Sequence, residues 1–215
     1  MAEDWTLADW DNYWVSTQPS REVVLAQRRW VRRVIRFAKN VNVQLDVIAD
    51  IGCGPAIALF ELARKFPKTS FHGFDGSSAI IERNTERARN LYIRNISFSK
   101  ILLPKVPKKS VFSLVLCIAT LHYVKDSLLT IRNLYSILKP GGFLIFNYPN
   151  LYTRYWYRRN ADEDMKRRFA VVLAGKNVLS RRAIEAALGR PCYDFWTEVG
   201  ETATRANPCI LVRKT

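Results

Sequence analysis

Histidine and methionine are scarce in this 215-residue chain, with two of each, and acids are few: 19 Asp plus Glu against 34 Lys plus Arg. The four cysteines, Cys53, Cys117, Cys192 and Cys209, stand far apart. No pair has metal-ligand spacing and the set has no disulfide-framework spacing, so no metal is expected. Cys192 and Cys209 fall on two predicted C-terminal strands, which would set them face to face if their Cα atoms came close enough. No apolar run is long enough to span a bilayer, and Met1-Ala2-Glu3-Asp4-Trp5 lacks the basic flank and apolar core of a secretory signal. A reduced, cytoplasmic protein without a membrane-spanning segment is predicted. Internal repeats and low-complexity tracts are missing too.

What is present is a 48% hydrophobic fraction, enough for one α/β domain in a chain too short for two of ordinary size. A formal net charge of +15 exceeds what solubility requires and predicts an acidic partner. Nucleic acid, an anionic membrane surface and an acidic protein all qualify. Nucleic acid is favoured because the bases are interleaved with Trp, Tyr and Phe; the plain alternative is a solvated basic surface.

The chain is organised around Val47-Ile48-Ala49-Asp50-Ile51-Gly52-Cys53-Gly54-Pro55-Ala56, an apolar run ending in an acid and a glycine-rich turn before a helix-patterned segment. This reads as strand, tight loop and helix start. Gly52 and Gly54 allow close backbone approach or positive φ, and amides at the helix start are expected to point at a ligand. The next strand, Thr69 to Asp75, ends in an acid placed to accept both hydroxyls of a ribose.

Asp50-Ile51-Gly52-Cys53-Gly54, Phe74-Asp75-Gly76-Ser77, Leu121-His122-Tyr123-Val124 and Leu138-Lys139-Pro140-Gly141-Gly142, in that order, resemble the class I S-adenosylmethionine (SAM) methyltransferases. The resemblance covers about residues 45–148. It implies a doubly wound, mostly parallel seven-stranded sheet with helices on both faces. It also implies SAM as cofactor, with Asp50, Gly52, Cys53 and Gly54 at its amino-acid end and Asp75 on the ribose. Gly76 and Ser77 would border the adenine, with Ile101, Leu102 and Cys117 completing the pocket. The family's adenine-reading acid after the third strand is replaced by Ser99-Lys100-Ile101-Leu102, and its Phe-Asp entering the fourth strand by Phe112-Ser113. Backbone groups near Ile101 are then expected to read the adenine.

Within one domain, residues 1–44 are predicted as N-terminal helices, 45–148 as the SAM-binding core, 149–177 as a substrate-side insertion and 178–215 as a last helix and two strands. Residues 5–14 place aromatics at near-helical spacing, and a longer helix runs to about Ala38 with an apolar stripe and arginines opposite. The resemblance makes Tyr13 and Trp14 candidate lid residues; the alternative is that they are the buried side of a short helix. Further helices are predicted over Ala56–Lys65, Ala79–Arg89 and Ser127–Leu138, the last stopped by Lys139-Pro140-Gly141-Gly142. Strands are predicted at Ile96–Ser99, Val111–Ala119, Phe143–Phe146, Cys192–Thr197 and Pro208–Arg213.

For the acceptor, Asn147-Tyr148-Pro149-Asn150 resembles, in altered form and after a different strand, the motif by which amino-directed nucleic-acid methyltransferases hold an exocyclic amine. Its plain alternative is a turn. His122 is a candidate proton acceptor or pocket-lining residue. Tyr152, Arg154, Tyr155, Trp156, Arg158 and Arg159 suit stacking on splayed bases with phosphate contacts alongside, and Lys105, Lys108 and Lys109 are expected on the same sheet edge. The expected substrate is ribosomal or transfer RNA at a base amino group. The alternatives are a small-molecule substrate under an aromatic lid, or a SAM-binding protein without activity.

Overall fold

The computed structural model describes residues 5–41, 44–195 and 207–215. Seven strands form one sheet: β1 (Val47–Ile51), β2 (Ser70–Asp75), β3 (Ile96–Lys100), β4 (Phe112–Cys117), β5 (Leu138–Asn147), β6 (Tyr193–Asp194) and β7 (Cys209–Arg213). Their order is β3-β2-β1-β4-β5-β7-β6, with β1 to β5 parallel and β7 antiparallel to both neighbours. The order reverses between β1 and β4, which opens a crevice at the carboxyl ends of those strands.

Both faces are covered, so neighbouring residues of one strand enter different cores. On one face Val31 and Val34 of α2 (Arg21–Asn40) and Leu59, Phe60 and Leu62 of α3 (Ile57–Lys65) pack on Ile48, Leu114, Leu116 and Ile145. On the other, Ile131 and Leu134 of α5 (Ser127–Ser136) and Ile184 of α9 (Arg181–Leu188) pack on Ala49, Val115, Leu144 and Phe146. The remaining helices are α1 (Leu7–Ser16), α4 (Ser78–Asn90), α6 (Leu151–Asn160), α7 (Glu163–Arg168) and α8 (Ala170–Leu173), with a 3₁₀ turn at Leu121–Tyr123. The stretch after the fifth strand is therefore three short helices. No helix among the described residues is long and apolar enough to cross a membrane.

Two expectations change. The helix predicted through Leu138 ends at Ser136, and β5 already begins at Leu138, taking in Lys139-Pro140-Gly141-Gly142. The register slips there, Phe112 facing Leu138 but Leu114 facing Phe143, and such a bulge accommodates a proline within a strand. A side chain at Gly142 would meet the carbonyls of Lys139 and Phe112 at 2.9 Å, so the tightness of the bulge calls for glycine. Second, Cys192 and Cys209 are free. Asp194 faces Ile210, while the Phe195 amide donates to the Cys209 carbonyl, so Cys209 lies opposite Phe195, three places from Cys192. They bury into different cores, Cys192 into the one that holds Ile184 of α9 and Cys209 into the one that holds Val34 of α2. The rest of the predicted Cys192–Thr197 strand, from Trp196, lies outside the described residues.

Candidate active site

The glycine loop leaves β1 at Ile51 and turns at once. Gly52 has φ +73°, and a Cβ there would lie 2.1 Å from Thr120 Oγ1, so handedness and contact both demand glycine. The first three amides of the loop, ahead of the helix start, are turned into the protein. Gly52 and Cys53 both donate to the Phe74 carbonyl (2.7 and 3.0 Å), and Gly54 donates to Asp75 Oδ2 (2.9 Å). These bonds lace the turn to the end of β2, making the loop a shaped cradle. Cys53 turns its thiol into the core, where burial pushes its pKa well up.

Two carboxylates border the cradle. Asp50 accepts no hydrogen bond from any described residue, and burial, reinforced by the charge of Asp75, raises its pKa to about 7. A cation beside it would reverse that shift. Asp75 accepts from the Ser77 amide (3.0 Å) through Oδ1 and from Gly54 through Oδ2, leaving each oxygen acceptor capacity for a hydroxyl; burial raises its pKa as well. An unpaired acid for an ammonium, a twice-anchored acid for a diol and a side-chain-free turn between them fit SAM. When bound, SAM would supply a methyl group already activated on a sulfonium, chemistry that asks of its site only alignment of an acceptor and exclusion of water.

Helix α1 lies across this cradle. Trp14 sits 3.3 Å from where a Cβ of Gly54 would be, and Leu7 stands at the same distance from that position on Gly76. Asp11 Oδ1 accepts from the Ser77 hydroxyl (2.5 Å) and the Ala79 amide (3.3 Å), tying α1 to the start of α4. Ser77, buried, also caps α4 through the Ile80 amide, so its hydroxyl serves the joint between the helices. Ile101 donates its amide to the Asp75 carbonyl (2.8 Å), and its own carbonyl looks toward Gly76 beside half-exposed Leu102. Cys117 is buried in the core on the α5 side, where burial raises its pKa.

Past the end of β4, aromatic rings close the crevice. Trp10 packs edge-on against Tyr123 (4.7 Å between centroids), Tyr123 stacks on Phe169 (5.2 Å), and Phe169 stacks on Tyr157 of α6 (4.1 Å). His122 is buried beside Phe169; its Nδ1 has no hydrogen-bond partner and burial lowers its pKa to about 4, so it is neutral at pH 7. Sequence reasoning missed Asp11, Trp10, Tyr123, Lys125 and Arg168 as site residues. The near-helical aromatic spacing of residues 5–14 was the available signal for the first two.

The acceptor expectation for Asn147, Tyr148 and Pro149 conflicts with their surroundings. Asn147 is buried, its Oδ1 accepting from the Ala119 amide (2.7 Å) and its Nδ2 donating to Asn207 (2.6 Å). The amide group is thus a cross-link holding the end of β5 to the turn after β4. Tyr148 is buried in the α9-side core, and the Pro149 carbonyl accepts from the Leu179 amide. Nor are the basic residues gathered at one edge. Lys108 and Lys109 precede the first residue of β4 and so lie at the amino edge of the parallel strands, opposite the crevice; Lys105 stands nearer the end of β3. Arg154 is half-buried and donates Nε to the Leu173 carbonyl (2.9 Å), bracing α8. Tyr152, Tyr155, Trp156, Arg158 and Arg159 are exposed on α6.

Among the described residues no group of three or more His, Cys, Asp and Glu is placed to hold a metal. A methyltransferase-domain family model matches residues 43–186. The trans-aconitate 2-methyltransferase of Pseudomonas paraeruginosa is 34% identical over 61% of this chain and 46% of its own length. The malonyl-[acyl-carrier protein] O-methyltransferase of Priestia megaterium is 32% identical over 52% of this chain and 40% of its own. The chain therefore spans about half or less of the length of these curated relatives. The magnesium protoporphyrin IX methyltransferase of Synechocystis PCC 6803, crystallised with S-adenosylhomocysteine (SAH), superposes with a TM-score of 0.64 at 16% identity, over 96% of this chain and 93% of that one. Fold, cradle and family match agree: this chain belongs to the class I SAM-dependent methyltransferases.

Proposed function

We propose that the acceptor is a small molecule enclosed beneath α1. The observation that carries this reading is closure. Helix α1 rests on the glycine loop through Trp14, is tied to α4 through Asp11, and meets Tyr123 through Trp10, so the crevice is roofed by side chains from both ends of the core. A roof this near the methyl-donor cradle suits a compact acceptor and excludes bulk water. The name of the trans-aconitate relative points the same way.

A base amino group of RNA is the second reading, and one observation favours it. The outward side of α6 exposes Tyr152, Tyr155 and Trp156 beside Arg158 and Arg159, a combination that stacks on unpaired bases. The test is transfer of labelled methyl from SAM to the small-metabolite, RNA and protein fractions of a strain lacking this gene. Label in the metabolite fraction is expected. Label confined to RNA overturns the small-molecule reading, and label nowhere with SAM still bound indicates a non-catalytic SAM-binding protein.

A further inference from the structure

Strand β3 is one edge of the sheet, and it lacks the devices that usually close an edge. An open edge is a template for another strand, so proteins commonly interrupt it with a proline, a bulge or a lysine aimed across the free backbone. Here the five residues Ile96–Lys100 pair with β2 in unbroken register and include no proline. Lys100 is drawn back, its Nζ donating to Ser78 Oγ (2.6 Å). The Phe71 amide donates to the Asn95 carbonyl and the Ile101 amide to the Asp75 carbonyl, so the alternation of a parallel pair turns Ser97 and Ser99 toward β2. The amides and carbonyls of Ile96, Phe98 and Lys100 therefore face outward, with no partner among the described residues.

A groove of about 470 Å³ runs beside that edge, between β3 and the carboxyl-terminal half of α4. Ala88, Ile93 and Phe98 give it apolar walls, and Arg89 and Arg94 line it while exposed to solvent. Neither arginine has an ion pair among the described residues. The acids outside the described residues, Glu3, Asp4, Glu198 and Glu201, belong to stretches joined to Trp5, in the roof, and to Phe195, beside β7 at the opposite side of the sheet. Tyr92 lines the groove as well. It takes φ +54° just past the end of α4, its amide donating to the Arg89 carbonyl and that of Ile93 to the Ala88 carbonyl, a helix ending for which glycine is the ordinary choice. A tyrosine accepts the left-handed backbone here and leaves its side chain 87% exposed.

We propose that this edge is a docking site for an extended acidic segment of a partner protein, added to β3 as one more strand. Main-chain bonds to Ile96, Phe98 and Lys100 would hold the segment, its apolar side chains would enter the groove beside Tyr92, and its acids would meet Arg89 and Arg94. Charge decides between this occupant and a second copy of the chain. Two copies joined antiparallel about a two-fold axis bring the Arg94 end of one edge toward the Lys100 end of the other, and like charges opposed across strands destabilise the pair. A strand lying alongside β3 leaves the crevice at the carboxyl ends of β1 and β4 open, so the assignment is independent of what that crevice methylates.

The test uses the full chain with the peptide acetyl-Asp-Glu-Val-Thr-Val-Glu-Asp-amide, whose palindromic order serves either strand direction, read by amide-resolved hydrogen exchange and by calorimetry. The same peptide with lysine for every acid and a uridine oligonucleotide are the comparison arms. The acidic peptide should slow exchange at Ile96, Phe98 and Lys100, and the lysine peptide should bind at least about 10-fold more weakly. Arg89→Glu combined with Arg94→Glu should weaken binding of the acidic peptide by about 10-fold or more. Tyr92→Gly should weaken it several-fold while the unfolding midpoint holds or rises, since glycine takes that φ freely. The proposal is overturned if those amides gain no protection at about 1 mM acidic peptide. Equal binding of the lysine peptide, or equal affinity in wild type and both variants, overturns it too. Stronger protection of the same amides by the oligonucleotide would make the surface a nucleic-acid site instead, and protection in the protein alone that grows with its concentration would make it a contact between copies.

Discussion

The two halves of the crevice are built by different means. Around β1 and β2 the cradle is backbone: a positive-φ glycine, amides laced to the Phe74 carbonyl and two carboxylates at strand ends. Across from it the site is side chain: rings from α1, the 3₁₀ turn, α6 and the Phe169 junction, with cations from α7. Backbone geometry tolerates very few residue types at each position, whereas ring packing accepts many. The first half therefore leaves a spaced signature in the sequence and the second does not.

Breaking the cradle should cost most. Gly52→Ala meets both a left-handed backbone and Thr120 Oγ1, and should lower stability by about 3 kcal/mol in denaturant unfolding. Adding Thr120→Ala should restore the steric part and leave the conformational part, about 1–2 kcal/mol. Full rescue would show that the φ requirement is weak.

Next is the pH response of Asp50. Its folded pKa of about 7 lies above the ordinary carboxylate value, so between about pH 4 and 7 the folded state holds a proton that the unfolded state has lost. Stability of the SAM-free protein should fall as pH rises through that window, by up to a few kcal/mol. Asp50→Asn should flatten the profile and weaken SAM binding, because the neutral amide no longer attracts the ammonium. An unaltered thermal-unfolding profile would remove Asp50 from that role.

The roof should matter less for folding and more for ligand exchange. No residue of α1 is fully buried, so Trp14→Ala should leave the unfolding midpoint nearly unchanged. It should speed SAH dissociation several-fold in stopped-flow fluorescence, as should Asp11→Ala, which unties the Ser77 hydroxyl. The smallest effect is expected at α6: Arg158→Ala with Arg159→Ala should leave small-molecule turnover within about twofold, surface substitutions being mild. A large loss there would shift weight to the RNA reading.

The legible parts of the sequence follow this division. Asp50, Gly52, Gly54 and Asp75 stand at spacings that strand, turn and strand impose, and the apolar run into β4 announced a strand covered on both faces. Asn147 was misleading because its partners, Ala119 and Asn207, are distant in sequence; an amide aimed at a substrate and one bracing two strands read alike. Lys108 and Lys109 are near the insertion in charge but at the other end of the strands in space. Trp10, Tyr123 and Phe169 come from three separate stretches, and only the folded chain brings their rings together.

The most direct test of a cradle roofed by α1 is amide hydrogen exchange with and without SAH. The structure predicts slowed exchange together in residues 7–16, 50–56 and 74–77, with the far edge of the sheet unchanged. Protection of the glycine loop without α1 would contradict the roof, and protection in neither would contradict the cofactor site itself.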